Sequence, residues 1–384
     1  MRNEELFQVL RKALWNEGTA AGSWEVYREL SAHAINTLPG FILPALHLPD
    51  DLLRRWKSQV YGQIVRYDAY MQAQQALPLT VPYVILKGSS AAMYYPHPQL
   101  RAMGDIDVMT RQEDYQAACD MLLDNGYEET TDEDDKLRGR HRKFEKYGFA
   151  VEIHIFFGNL KSPEKTQRFD DYIISNITPS HVLPDLVNGM VLIEHINQHM
   201  EVGLGLRQII DFMMFVDRRL TDENWPAFEK MLKETGLKPL ALTVTRMCEI
   251  YLGLTPHSWC ARTDKKLCAD LMDYVLSCGD FGKKRERSVS LSVGRAKKLS
   301  HPIAALRELQ RRGEANWPGA QKLLLRPFAW LWQGCRFFRD TDRLTMGYKE
   351  ASHQNKLFNA LGVRREARGF VFLENGQYVL KKRK

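Results

Sequence analysis

The sequence has no long apolar run. Nothing in it approaches the roughly 18 uninterrupted apolar residues of a membrane-spanning helix, so a membrane-embedded chain is not expected. Cysteine is sparse and unpatterned. The six residues, Cys119, Cys248, Cys260, Cys268, Cys278 and Cys335, form no CxxC pair and no repeated metal-ligand spacing, so reduced, mostly buried thiols are expected rather than disulfides or a zinc module. The N-terminus, MRNEELFQVLRK, is charged and has no apolar signal region behind it, which makes the cytoplasm the expected location. With 44% hydrophobic and 26% charged residues, the 384-residue chain has the composition of a globular protein of two or three domains.

Acidic residues are scarce in one place only. From residue 282 onward there are 24 Lys and Arg against 8 Asp and Glu, whereas the preceding residues are net acidic. A split of this kind points to an anionic partner for the C-terminal quarter, either nucleic acid or an anionic membrane surface.

The richest stretch is VILKGSSAAMYYPHPQLRAMGDIDVM, Val84–Met109. An apolar strand breaks into the small-residue loop Lys87-Gly88-Ser89-Ser90, with a helix start expected just after it. A proline-punctuated loop then leads to Gly104-Asp105-Ile106-Asp107. On a strand, Asp105 and Asp107 face one way and Ile106 and Val108 the other. Like charges so placed repel unless a cation sits between them, and a divalent metal with phosphate as its second ligand is the usual reason to build the pair. Downstream, Val151-Glu152-Ile153-His154 alternates in the same way and puts a third acid on a further strand.

These residues make a coherent site. Asp105, Asp107 and Glu152 would hold Mg²⁺ or Mn²⁺ bridging the phosphates of a nucleoside triphosphate such as ATP, with Glu152 as ligand or as base. Gly88 lets the backbone approach the phosphates, Ser89 adds a hydroxyl, and Lys87 or Arg101 would neutralise the departing pyrophosphate. The reaction class is nucleotidyl transfer.

The order Gly88-Ser89, Asp105-Ile106-Asp107 and a later strand acid resembles the superfamily of DNA polymerase β and the aminoglycoside nucleotidyltransferases. More closely, the LKG motif, the arginine ahead of GDID and the VEIH strand resemble the bacterial uncharacterised nucleotidyltransferase family, over roughly Leu52 to Leu220. The resemblance implies a small mixed α/β catalytic core, Mg²⁺ and a nucleoside triphosphate, and it implies no particular acceptor.

The expected fold class is α+β, with a small mixed-sheet nucleotidyltransferase core flanked by N-terminal helices and a helical C-terminal region. The expected divisions are residues 1–80 (helical), 81–180 (catalytic core), 181–281 (helical) and 282–384 (basic). Helices are read at Glu4–Trp15, Trp24–Ile35, Leu52 to about Ala76, Glu113–Gly126, Leu186–Met200, Leu206–Leu220, Trp225–Thr235 and Leu240–Leu252. The acidic run Glu128–Asp135 and the basic run Lys136–Lys146 read as solvated loops. His195 and His199 have the spacing of two metal ligands on a helix, but no third is evident, so they read as packing residues. Arg207 and Asp211 read as an ordinary i,i+4 ion pair. The aromatic and arginine-rich stretch Leu323–Phe338 fits a packed helix, a membrane-surface helix or a nucleic-acid contact. The final Lys381-Lys382-Arg383-Lys384 is expected to fray. A rival reading of the whole chain is a catalytically inactive adaptor that uses its basic C-terminal region to hold nucleic acid or membrane.

Overall fold

The acids sit where they do because of one five-stranded sheet. A computed structural model describes residues 3–132, 139–200, 202–284, 352–363, 369–374 and 377–382. The strands are β1 (Tyr83–Leu86), β2 (Ile106–Thr110), β3 (Glu128–Glu129), β4 (His141–Lys146) and β5 (Phe149–His154). Their order is β1-β2-β5-β4-β3, with β2 and β5 parallel and the other pairs antiparallel. The fold is α+β with a mixed sheet, as the sequence implies.

Period-two alternation gives the sheet two chemically different faces. Ile85, Ile106, Val108, Phe144, Val151 and Ile153 point to one side. There they form a core with Tyr115, Ala118, Cys119 and Leu122 of a helix at Tyr115–Asp124. Burial of these large side chains is worth about 1.5–3 kcal/mol each. The opposite face carries Asp107, Glu152, His154, Lys143 and His141 and cannot be closed by an apolar layer alone.

The helices on the chain's two flanks follow the sequence closely. Glu4–Trp15, Trp24–Ala32 and Asp50–Gln75 precede the sheet, and Asp185–His199, Leu206–Arg219, Trp225–Thr235, Lys238–Tyr251 and Lys265–Cys278 follow it. The N-terminal helices reach across to the later ones: Trp15 Nε1 donates to the Leu252 carbonyl at 2.6 Å and the Leu206 amide donates to His33 Nδ1 at 3.3 Å. One helix the sequence reading lacks, Pro163–Ile174, starts with an ordinary signal: Ser162 Oγ accepts from the Lys165 amide and Pro163 opens the first turn.

Three differences have physical causes. The basic run is not all loop, because His141–Lys146 forms β4, joined to β5 by the two-residue turn Tyr147-Gly148 with both φ values positive. The acidic run contributes the short edge strand β3. The terminal lysines do not all fray: β6 (Gly369–Glu374) and β7 (Gln377–Lys382) form a hairpin that carries Lys381 and Lys382, with Leu380 buried in the sheet's core and Tyr378 edge-on to Tyr115.

The described residues up to Lys283, with those from 360 onward, form one compact unit, and 284–359 form a second. Leu323–Phe338 and most of the basic stretch after Phe281 lie outside the described residues. Cys119, Cys248, Cys260, Cys268 and Cys278 are buried free thiols. No helix among the described residues is long and apolar enough to cross a membrane.

Candidate active site

The strand-to-helix junction after β1 is tightly constrained. The helix begins at Gly88 itself, spanning Gly88–Ala92, rather than after Ser90. Lys87 precedes it with φ +50°, a conformation that costs a non-glycine residue about 1 kcal/mol or more. Ser90 Oγ donates to the Ile85 carbonyl at 2.9 Å and closes the turn, while Ser89 Oγ donates to Gln74 Oε1 at 2.6 Å. Gly88 has φ +38°, and a Cβ there would meet the Tyr70 hydroxyl at 2.4 Å. That hydroxyl donates to the Asp105 carbonyl at 3.2 Å, so the junction and the acid loop are held by one side chain. Gly88→Ala is therefore expected to cost about 1–3 kcal/mol in chemical unfolding, because Tyr70 is fully buried and has nowhere to move.

Register brings the acids together. Asp107 lies opposite Leu86 on one side and Glu152 on the other, and Glu152 lies opposite Lys143 of β4. Asp105 stands just ahead of β2, so the two aspartates do not both belong to the strand. Lys87 Nζ lies 2.7 Å from Asp107 Oδ1. Lys143 Nζ lies 3.0 Å from Asp105 Oδ2 and 3.7 Å from Glu152 Oε1. His154 Nε2 lies 3.0 Å from Asp107 Oδ1 and 3.4 Å from Glu152 Oε2. Three carboxylates thus face two ammonium groups and an imidazole.

The titration of these groups follows from that arrangement. Burial, together with the charges of Glu152 and Asp107, pushes the Asp105 carboxyl up against the opposing Lys143 hydrogen bond. Burial also raises the Glu152 carboxyl, but His154, Lys87 and His141 outweigh it and hold Glu152 well below the usual carboxylate range. Burial lowers His154, and its bonds to Asp107 and Glu152 more than restore it.

Arg101 is committed to a partner on a later helix. Its buried guanidinium forms a two-pronged pair with Asp211 of the helix Leu206–Arg219, Nε to Oδ1 at 2.7 Å and Nη2 to Oδ2 at 2.6 Å. Tyr95 Oη also donates to Asp211 Oδ1 at 2.7 Å. Asp211 is thus not the i,i+4 partner of Arg207, which instead lies 3.4 Å from Asp280. Arg101 anchors the loop that carries Asp105, and the positive charge beside the acids comes from Lys87 and Lys143.

Lys143 and His141 belong to the basic run that reads in the sequence as a solvated loop, with no site role. The available signal was the Tyr147-Gly148 turn between KFEK and FAVEIH, which makes the charged segment the hairpin partner of the VEIH strand. His195 and His199 meet edge to face near the site with their Nε2 atoms 2.9 Å apart. Burial, then the Lys87 and Arg207 charges, lowers His199 to about 3, so it is neutral at ordinary pH.

A strand–LKGS–helix junction, an aspartate pair at the head of the next strand and a third acid on its parallel neighbour form the arrangement that the resemblance to nucleotidyltransferases implies. The chain belongs to the uncharacterised nucleotidyltransferase family, whose sequence model matches residues 26–253. The match covers the sheet and extends through the helix Lys238–Tyr251, further in both directions than the motifs alone indicate. Searches of curated proteins and of solved structures give no match.

Proposed function

We propose that this protein is a Mg²⁺- or Mn²⁺-dependent enzyme of the cytoplasm that transfers a nucleoside monophosphate from a nucleoside triphosphate to a hydroxyl of a small molecule, RNA or protein. The observation that carries the reading is the Lys143 ammonium between Asp105 and Glu152: a cation already bridges two of the three acids. The donors there are carboxylate oxygens, which suit a hard divalent ion. Asp105, Asp107 and Glu152 would hold it. Such an ion supplies charge neutralisation and alignment for the triphosphate.

The chain's own residues do the rest. Lys87 and Lys143 balance the acids in the absence of substrate and turn to the phosphate oxygens when the triphosphate enters. Gly88 and Ser89 line the phosphate side of the junction. Glu152, held ionised by His154, Lys87 and His141, is suited first to ligation, and as a weak base it would take the proton of the attacking hydroxyl as the new bond forms. The new bond forms between that oxygen and the α-phosphorus, the α–β bridge breaks, and pyrophosphate leaves. Arg101 contributes by holding the Asp105 loop through Asp211.

The test is incubation of a cell extract with α-labelled ATP, CTP, GTP and UTP and Mg²⁺, using wild type and Asp105→Ala/Asp107→Ala. Label should pass to an acceptor with the wild type alone. If neither nucleotide binding nor transfer depends on the aspartates while the fold is intact, the proposal fails. Lys143→Met separates the lysine's two roles. Loss of its charge should tighten Mn²⁺ binding by about tenfold or more without nucleotide and weaken triphosphate binding by a similar factor, from about 1.5–3 kcal/mol per charged hydrogen bond. Titration calorimetry with each ligand checks both.

A further inference from the structure

We propose that the site contains a second cation position, built on nitrogen, that takes a transition-metal ion: His141, Glu152 and His154. One ligand atom from each lies within 4.8 Å of the other two. The geometry follows from register, since His141 and His154 are direct cross-strand partners on β4 and β5 and Glu152 is two residues from His154 on the same face. Their rings lie 5.0 Å apart, centroid to centroid. Donors around one ion with bonds of about 2.1 Å stand about 3.4 Å apart in a tetrahedron. His141 is only half buried and can close the difference by a side-chain rotation.

A second observation points the same way. His154 is 4% exposed, and while its Nε2 meets Asp107 and Glu152, its buried Nδ1 has no hydrogen-bond partner among the described residues. A sealed imidazole held by Asp107 through Nε2, with Nδ1 unused, is the arrangement found where histidine binds a metal and a carboxylate orients it; Glu152 Oε2, 3.4 Å from Nε2, would turn to the ion.

Glu152 joins the two positions. Its Oε1 is turned to Lys143 and the aspartate side, and its Oε2 to His154. One carboxylate can therefore serve an all-oxygen position at Asp105 and Asp107 and a nitrogen-bearing one at His154 and His141. Two imidazoles are poor ligands for Mg²⁺ and good ones for Zn²⁺, Co²⁺ or Ni²⁺. The inference goes beyond nucleotidyl transfer and holds without any nucleotide.

The probe is Co²⁺ added to the full-length, metal-stripped protein, read by its visible d–d absorption and by calorimetry, with Zn²⁺ as competitor. The wild type should bind one Co²⁺ that Zn²⁺ displaces. His141→Ala and His154→Gln should each weaken binding by about 10–100-fold, while Asp105→Asn should leave it within about threefold. Should His154→Gln unfold, His141→Ala at its half-buried position still decides the matter. Absence of Co²⁺ bands overturns the site, as does binding that survives the histidine substitutions or is lost equally with Asp105→Asn. Co²⁺ binding that persists in a protein with no transferase activity would count against the functional proposal and leave this site standing.

Discussion

Asp105→Asn is expected to lower nucleotidyl transfer on the order of 10³-fold while leaving the fold as stable as the wild type, or slightly more so. The loss of rate comes from removing one of three carboxylates that would hold the catalytic metal, whose charge stabilisation is worth several kcal/mol at roughly 1.4 kcal/mol per tenfold in rate. Stability should not follow, because this charge is poorly accommodated. Asp105 side-chain exposure is 40%, and burial and its neighbours Glu152 and Asp107 disfavour its charged form. Its side-chain partner among the described residues, Lys143, keeps Glu152 within 3.7 Å after the change. Transfer kinetics and thermal melting measured on the same preparation check both halves. A variant that keeps full activity removes Asp105 from the mechanism. One that melts far below the wild type makes the aspartate structural.

Asp211→Ala should behave in the opposite way, costing about 3–5 kcal/mol of stability. The Arg101 and Asp211 side chains are 4% and 1% exposed. Truncating Asp211 leaves a guanidinium sealed without its counter-charge and strips the Tyr95 hydroxyl of its acceptor. The pair's own net worth is much smaller, since both groups lost their hydration on burial. Arg101→Met/Asp211→Leu should therefore recover most of the loss. A double-mutant cycle in urea decides this: single losses below about 1 kcal/mol would show that water reaches the pair. Activity should fall in Asp211→Ala even where it remains folded, because the loop from Tyr95 to Asp105 depends on this anchor, on Thr37 donating to the Leu100 carbonyl and on Gln63 donating to the Arg101 carbonyl.

The contrast between these residues shows where sequence reading succeeds. Asp107 and Glu152 were legible because their neighbours Ile106, Val108, Val151 and Ile153 are apolar and impose period two, so the strand and its facing residues come together. β4 lacks that contrast. In His141-Arg142-Lys143-Phe144-Glu145-Lys146 only Phe144 is apolar: His141 and Lys143 face the site, while Arg142 and Lys146 on the other side pair with Glu129 and the Asn125 carbonyl, so what reads as a solvated charge run is a strand. Arg207 and Asp211 mislead for a related reason. Spacing of four on a helix licenses a contact worth only about 0.2–0.5 kcal/mol, which a buried two-pronged partner readily displaces.

By itself the sequence determined the α+β class, the flanking helices and the identity of the acids, since these rest on local periodicity, on breakers and on a motif contiguous within a few residues. Only the tertiary structure decided which cations face those acids, that Arg101 pairs with Asp211, and that His141 joins His154 beside Glu152. Those facts depend on strand register and on contacts between residues as far apart as Arg101 and Asp211, and pairing over such separations is set by the packing of the whole sheet and its helices rather than by any local pattern.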